Sequence, residues 1–203
     1  MASPGSERLL ARLQGSMTRE KAVTDRILKA TADAGYDAAR MRSTLATLSS
    51  RHLVPTRLLS GIEPAIVATA RAGHDPRHMV DAIHSFMSGG PPATGSHRAV
   101  NLVAPLLERI ARNGDDPAPA ARFLLPCLRA ADIPESDVIY LYEHLPVSPQ
   151  YDSALLAESA VYAASDSKIP IRDVLAIQNM FIEKGHFPTA GSVVEFHRRF
   201  HKK

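Results

Sequence analysis

The chain has 203 residues, 45% of them apolar and 5% aromatic, with no tryptophan and one cysteine. A chain of this length buries a substantial core as one or two domains, a single cysteine excludes a disulfide framework or a cysteine-rich zinc site, and no run of about 18 apolar residues is present to span a membrane. The formal charge of +3 and the pI of about 9.2 permit a nucleic-acid partner without demanding one.

The first residues, "MASPGSERLLARLQGSMTREKA", set Arg8, Arg12 and Arg19 and several serines beside an apolar Leu9, Leu10, Leu13 face. That composition loosely matches an amphipathic organelle-import leader, with a first helix as the plain alternative. The expected organisation is therefore a flexible segment or leader over 1–18 and one folded domain over 19–203. A mitochondrial location follows from the leader reading, and a cytoplasmic one otherwise.

Helical periodicity then recurs along the chain, in "VTDRILKATADAG", "MRSTLATLSSRHL", "IEPAIVATARAG", "MVDAIHSFM", "VNLVAPLLERIARNG", "AARFLLPCLRAA", "SDVIYLYEHL", "ALLAESAVYAAS", "VLAIQNMFIEKG" and "SVVEFHRRF". Apolar residues fall at three- and four-residue steps in each, and no stretch alternates with period two between hairpin turns. The chain reads as all-α. Cys127, inside "ARFLLPCLRAA", reads as a buried structural thiol.

Two kinds of break separate these helices. A glycine follows a helix at Gly35, Gly73 and Gly114, with an Asp or Pro shortly after it, as suits a left-handed helix end and a fresh helix start. A proline closes the other breaks at Pro55, at Pro91 and Pro92, at Pro134, and at Pro188 in "EKGHFPT". Successive glycines lie 38 and 41 residues apart, and Pro55, Pro92 and Pro134 are spaced by 37 and 42. A period of this length holding two helices is the signature of a helical-hairpin array. After Pro134 the rhythm slips, so that one extra helix, a final pair from Tyr151 to Pro188, and a lone terminal helix over 190–203 are expected.

These features resemble the pentatricopeptide repeat, a hairpin of about 35 residues whose first helix ends in "KAG"-like residues and whose second ends in "EKGIKPD"-like residues. "IEKGHFPTA" and "ATARAGHDPRHMVDAIHSFMSGGPPA" carry the match best, and the resemblance covers about 140 to 160 of the 203 residues. The tyrosine–asparagine pair that opens the family's first helix is missing. The resemblance implies a right-handed α-solenoid of about four helix-turn-helix repeats closed by a C-terminal capping helix. Full family repeats read one RNA base per unit. The matching positions here are Asp25, Glu63 and Ala104, with Pro55, Ala93 and Pro134 or Glu135 at the second code position. An alanine cannot bond a base edge, and two carboxylates would face an anionic backbone, so base readout is not expected. The resemblance implies instead a fixed part of a larger ribonucleoprotein, such as a mitochondrial ribosome or RNA-processing assembly. A protein-only adaptor, or a secreted bacterial effector built of helical repeats, would share the architecture.

The candidate RNA-binding residues are basic. The tail "EFHRRFHKK" sets Arg198, Arg199, Lys202 and Lys203 among Phe196, Phe200 and two histidines, a composition that binds phosphates and stacks on bases. A second group, Arg40, Arg42, Arg51 and Arg57 with His52, surrounds the second helix of the first hairpin. His74 and His78, and His197 and His201, stand four apart but lack the neighbouring Glu of a metalloprotease, so no metal site is expected. No nucleophile elbow, phosphate loop or dinucleotide fingerprint occurs. No catalytic residue, cofactor or small-molecule substrate is assigned; the expected partners are RNA, through its backbone, and proteins of a larger assembly.

Overall fold

The computed structural model describes residues 4–49, 56–88, 96–129 and 133–200, with the side chains of a few helix-end residues among these left undescribed. Pro55, Pro91 and Pro92, three of the prolines that mark breaks in the sequence, lie outside the described residues. The described residues form ten helices: α1 (Pro4–Asp33), α2 (Ala38–Ser49), α3 (Thr56–Arg71), α4 (Pro76–Ser88), α5 (Ser96–Arg112), α6 (Ala118–Arg129), α7 (Glu135–His144), α8 (Ser153–Ser167), α9 (Ile171–Glu183) and α10 (Ala190–Phe200). Among them the one extended pairing is an isolated antiparallel bridge, Ser148 to Tyr151, in the link from α7 to α8. The chain is all-α, as the periodicity of its apolar residues requires.

Helix packing follows chain order. Each odd-numbered helix packs on the next odd-numbered one, from α1 to α9, and each even-numbered helix on the next even one, from α2 to α10. Apolar residues three and four apart fill the space between, with Ile27, Met41, Ile62, Ile66, Met79, Ile83, Leu107, Ile110 and Leu124 all fully buried. Helix α8 buries more than one face, and uses small residues to do it: Ala154, Ala157, Ser159, Ala160 and Ala163 let α6, α9 and α10 approach together. Cys127 is half-buried rather than fully enclosed, and packs against the edge of this core.

Helix α1 runs without interruption past residue 18. Its residues 11–19 are exposed, and burial begins with Val23 and recurs at Ile27 and Thr31. Among the described side chains of α1, those that face the core begin at Val23.

One turn recurs. Gly35, Gly73 and Gly114 have φ of +84°, +82° and +94°, the left-handed conformation that glycine adopts without steric penalty. Gly185, in the break the sequence assigned to proline, has φ +74° and belongs with them. At each, the glycine N–H donates to the carbonyl three residues back and the next N–H to the carbonyl five back: Tyr36 to Thr31, His74 to Thr69, Asp115 to Ile110 and His186 to Phe181. This double bond satisfies the last carbonyls of the helix. A short polar residue then caps the next helix. Asp37, Asp75, Asp116, Asp152 and Thr189 accept from the first N–H groups of α2, α4, α6, α8 and α10. These caps lie 38, 41, 36 and 37 residues apart, so the rhythm that slips in the sequence after Pro134 returns at the caps.

Candidate functional site

The residue before each of the first four caps reaches the following turn. Tyr36 donates its hydroxyl to Asp75 Oδ1 at 2.5 Å, His74 Nε2 meets the Gly114 carbonyl at 2.7 Å, and Asp115 accepts from the Ser153 N–H at 2.5 Å. Tyr151 packs edge-on against Phe187 with centroids 5.5 Å apart. Four side chains at one register thus tie five turns into a continuous edge. Burial, and then its bond to Asp75, push the Tyr36 hydroxyl up to about 12. Partial burial works against the Asp75 carboxylate, yet the bonds from Tyr36 and the Arg77 N–H, helped by Arg40 and Arg77, hold it below its ordinary range. His74 is engaged here as a turn tie, and no three His, Cys, Asp or Glu side chains gather as a metal site among the described residues.

The candidate basic residues within described helices are dispersed, with Arg40 and Arg42 on α2, Arg57 on α3 and Arg198 and Arg199 on α10. Arg40, on α2, lies 3.7 Å from Asp75, while Arg42 is exposed. On α10, Arg198 and Arg199 are both exposed, and Arg199 pairs with Glu195 one turn earlier. Phe196 packs edge-on against Phe181 of α9 and stacks on Phe200, and His197 lies 3.7 Å from Asp173, so one face of α10 is engaged with α9. Arg51, Lys202 and Lys203 lie outside the described residues, as does the side chain of Arg57.

Two of the three residues matched to the first code position are not available to a base. Glu63 holds Arg26 through two bonds of 3.1 and 2.8 Å, linking α3 to α1, and Ala104 is buried between helices. Asp25 is exposed.

Sequence reasoning missed the uneven distribution of charge. Residues 1–57 carry ten Lys and Arg against five Asp and Glu, whereas residues 134–190 carry three against eight. A count by segment would have found it. In the acidic segment, α7 exposes Ile139 and Tyr142 beside Glu135 and Glu143. Grooves between helices add to this surface. One of about 540 Å³ lies between α4 and α6, with His78, Asp81, Ser85 and Arg122 around Ala82, Phe86 and Pro126. Another of about 390 Å³ lies between α3 and α5, where Arg71 stands opposite an Arg112–Glu108 pair closed at 2.5 Å.

No protein-family model matches the chain, and neither does any curated protein or any solved structure.

Proposed function

We propose that the chain is a non-catalytic, right-handed α-solenoid similar to pentatricopeptide arrays, which docks on RNA phosphates and on neighbouring proteins in a mitochondrial ribonucleoprotein. The observation that carries this reading is the recurrence of one capped turn at a 36–41-residue period, joined to a packing order in which each helix meets its second neighbour. Stacked hairpins have this order because one hairpin cannot bury its apolar face alone. On this reading α1/α2, α3/α4, α5/α6 and α9/α10 are packed hairpins, α7/α8 is an open pair whose helices pack mainly on α5, α6, α9 and α10, and α10 is the second helix of the last hairpin rather than a separate cap.

Backbone contact is favoured over base readout by the engagement of Glu63 and the burial of Ala104 at the family's code positions. The basic excess of the first 57 residues, with exposed Arg42 and Arg198, supports an anionic partner. The test is binding of a labelled single-stranded RNA to the full chain across a salt series. Four phosphate contacts would weaken affinity about 50-fold between 50 and 200 mM salt, with little difference among sequences. Arg42→Ala with Arg198→Ala should lower both the affinity and the salt slope. Failure to bind RNA even at low salt would overturn the RNA part and leave a protein-only adaptor, using its grooves and acidic face.

A further inference from the structure

The groove between α3 and α5 and the groove between α4 and α6 differ in what their charges do. In the first, the Glu108 carboxylate and the Arg112 guanidinium close on each other along one helical turn. In the second, Asp81 on one wall and Arg122 on the other are both exposed, and neither is ion-paired among the described residues, with the other or with a third group. About 540 Å³ of open space lies between them, lined on its apolar side by Ala82, the buried Phe86 and the exposed Pro126. That is the volume of an ordinary ligand site. Pro126 adds an acceptor to it. This proline stands inside α6 without an N–H, so the carbonyl of Arg122, one turn earlier, receives no bond along the helix. Arg122 and Pro126 both line the groove, which puts this carbonyl on the groove side of α6.

A phosphate suits this set poorly, because the Asp81 carboxylate and the Arg122 carbonyl both oppose an anion. A peptide bond suits it well, since it carries one donor and one acceptor on opposite edges. The Arg122 guanidinium then has a carbonyl to hold, and Asp81 is left as the unpaired anion that calls for a cation. We propose that the groove between α4 and α6 holds an extended segment of a partner protein in which an apolar residue adjoins a lysine or arginine. The segment's N–H donates to the Arg122 carbonyl, and its own carbonyl accepts from the Arg122 guanidinium. Its basic side chain meets Asp81, and its apolar side chain lies against Ala82, Phe86 and Pro126. The inference rests on the protein-docking part of the reading above and not on its RNA part.

Selection of phage-displayed random peptides on the immobilised full chain, followed by titration of a recovered peptide in solution, tests it. The recovered peptides should share an apolar residue beside Lys or Arg. Asp81→Lys should weaken their binding about tenfold or more, and should turn the preference from basic to acidic peptides. Pro126→Val keeps the apolar bulk and restores the N–H that occupies the Arg122 carbonyl, so it should weaken binding about fivefold. Both positions are exposed, and circular dichroism checks that each variant keeps its helices. Recovery of no peptide, or of peptides whose binding Asp81→Lys leaves unmoved, would overturn the inference. So would displacement of the peptide by a labelled single-stranded RNA whose own binding is lost in Arg122→Ala, an outcome that assigns the groove to RNA. A chain that binds RNA and recovers no peptide keeps the RNA part of the proposed function and loses this inference alone.

Discussion

Four helices and one other end differently. Helices α1, α3, α5 and α9 stop at a left-handed glycine, and two backbone N–H groups from the turn itself close on their last carbonyls. Helix α7 has no such glycine. Its cap, Leu145, keeps a negative φ of −55° and donates its N–H to Leu141, while Arg109 of α5 reaches across to the Tyr142 and Leu145 carbonyls. The same need, donors for the final carbonyls of a helix, is met by local backbone in four places and by a neighbour's side chain in the fifth. A local solution stabilises one turn, whereas a borrowed one also joins α7 to α5.

The comparison breaks most sharply at Arg109. Arg109→Ala leaves the exposed Tyr142 carbonyl and the part-buried Leu145 carbonyl without a charged donor, which should cost about 2 kcal/mol in urea unfolding. Arg109→Lys should recover less than half of that loss, because a single ammonium cannot reproduce the guanidinium fork. Next is Gly114→Ala. Open space surrounds the added Cβ, so the φ of +94° alone is at fault, and the cost should be about 1–2 kcal/mol. A loss near zero would mean that the turn relaxes, and that the local solution is less constrained than the borrowed one.

The smallest effect concerns the edge that the glycine turns create. Tyr36→Phe removes the bond to Asp75 and should cost about 1 kcal/mol near neutral pH. Its pH dependence is more diagnostic. Tyr36 has its folded-state value raised to about 12, so its contribution is whole below its unfolded value near 10 and is lost as pH rises from there through 12. Asp75 is lowered in the folded state, so its contribution is present above the ordinary carboxylate range and is lost as pH falls below that range. The Phe variant should therefore flatten the alkaline fall in stability and weaken the acid one, read from unfolding midpoints across pH.

How much of this was legible depends on the range of each interaction. The helices were, because apolar periodicity is local, and so were the turns at Gly35, Gly73 and Gly114 with the Asp residues after them. Gly185 is harder to read, because Pro188 three residues on offers its own reason for the break and hides the same backbone solution. The slip in rhythm after Pro134 came from following glycines and prolines where the caps Asp116, Asp152 and Thr189 carry the period. Of the candidate basic residues, the Arg199–Glu195 pair could be read from its i, i+4 spacing. The approach of Arg40 to Asp75, and of Tyr36 to the same carboxylate, joins residues 35 and 39 positions apart and leaves no mark on either neighbourhood.

The main contacts of every helix reach no further than its second neighbour. Closing so short a stretch of chain loses little entropy, so such a molecule folds quickly, and it need not do so all at once. Melting can begin at an outer pair and travel inward, with the middle helices still ordered when the ends have opened. A single midpoint temperature then describes this chain less well than a gradient of hydrogen-exchange rates, slowest around α5 and α6 and fastest toward α1 and α10.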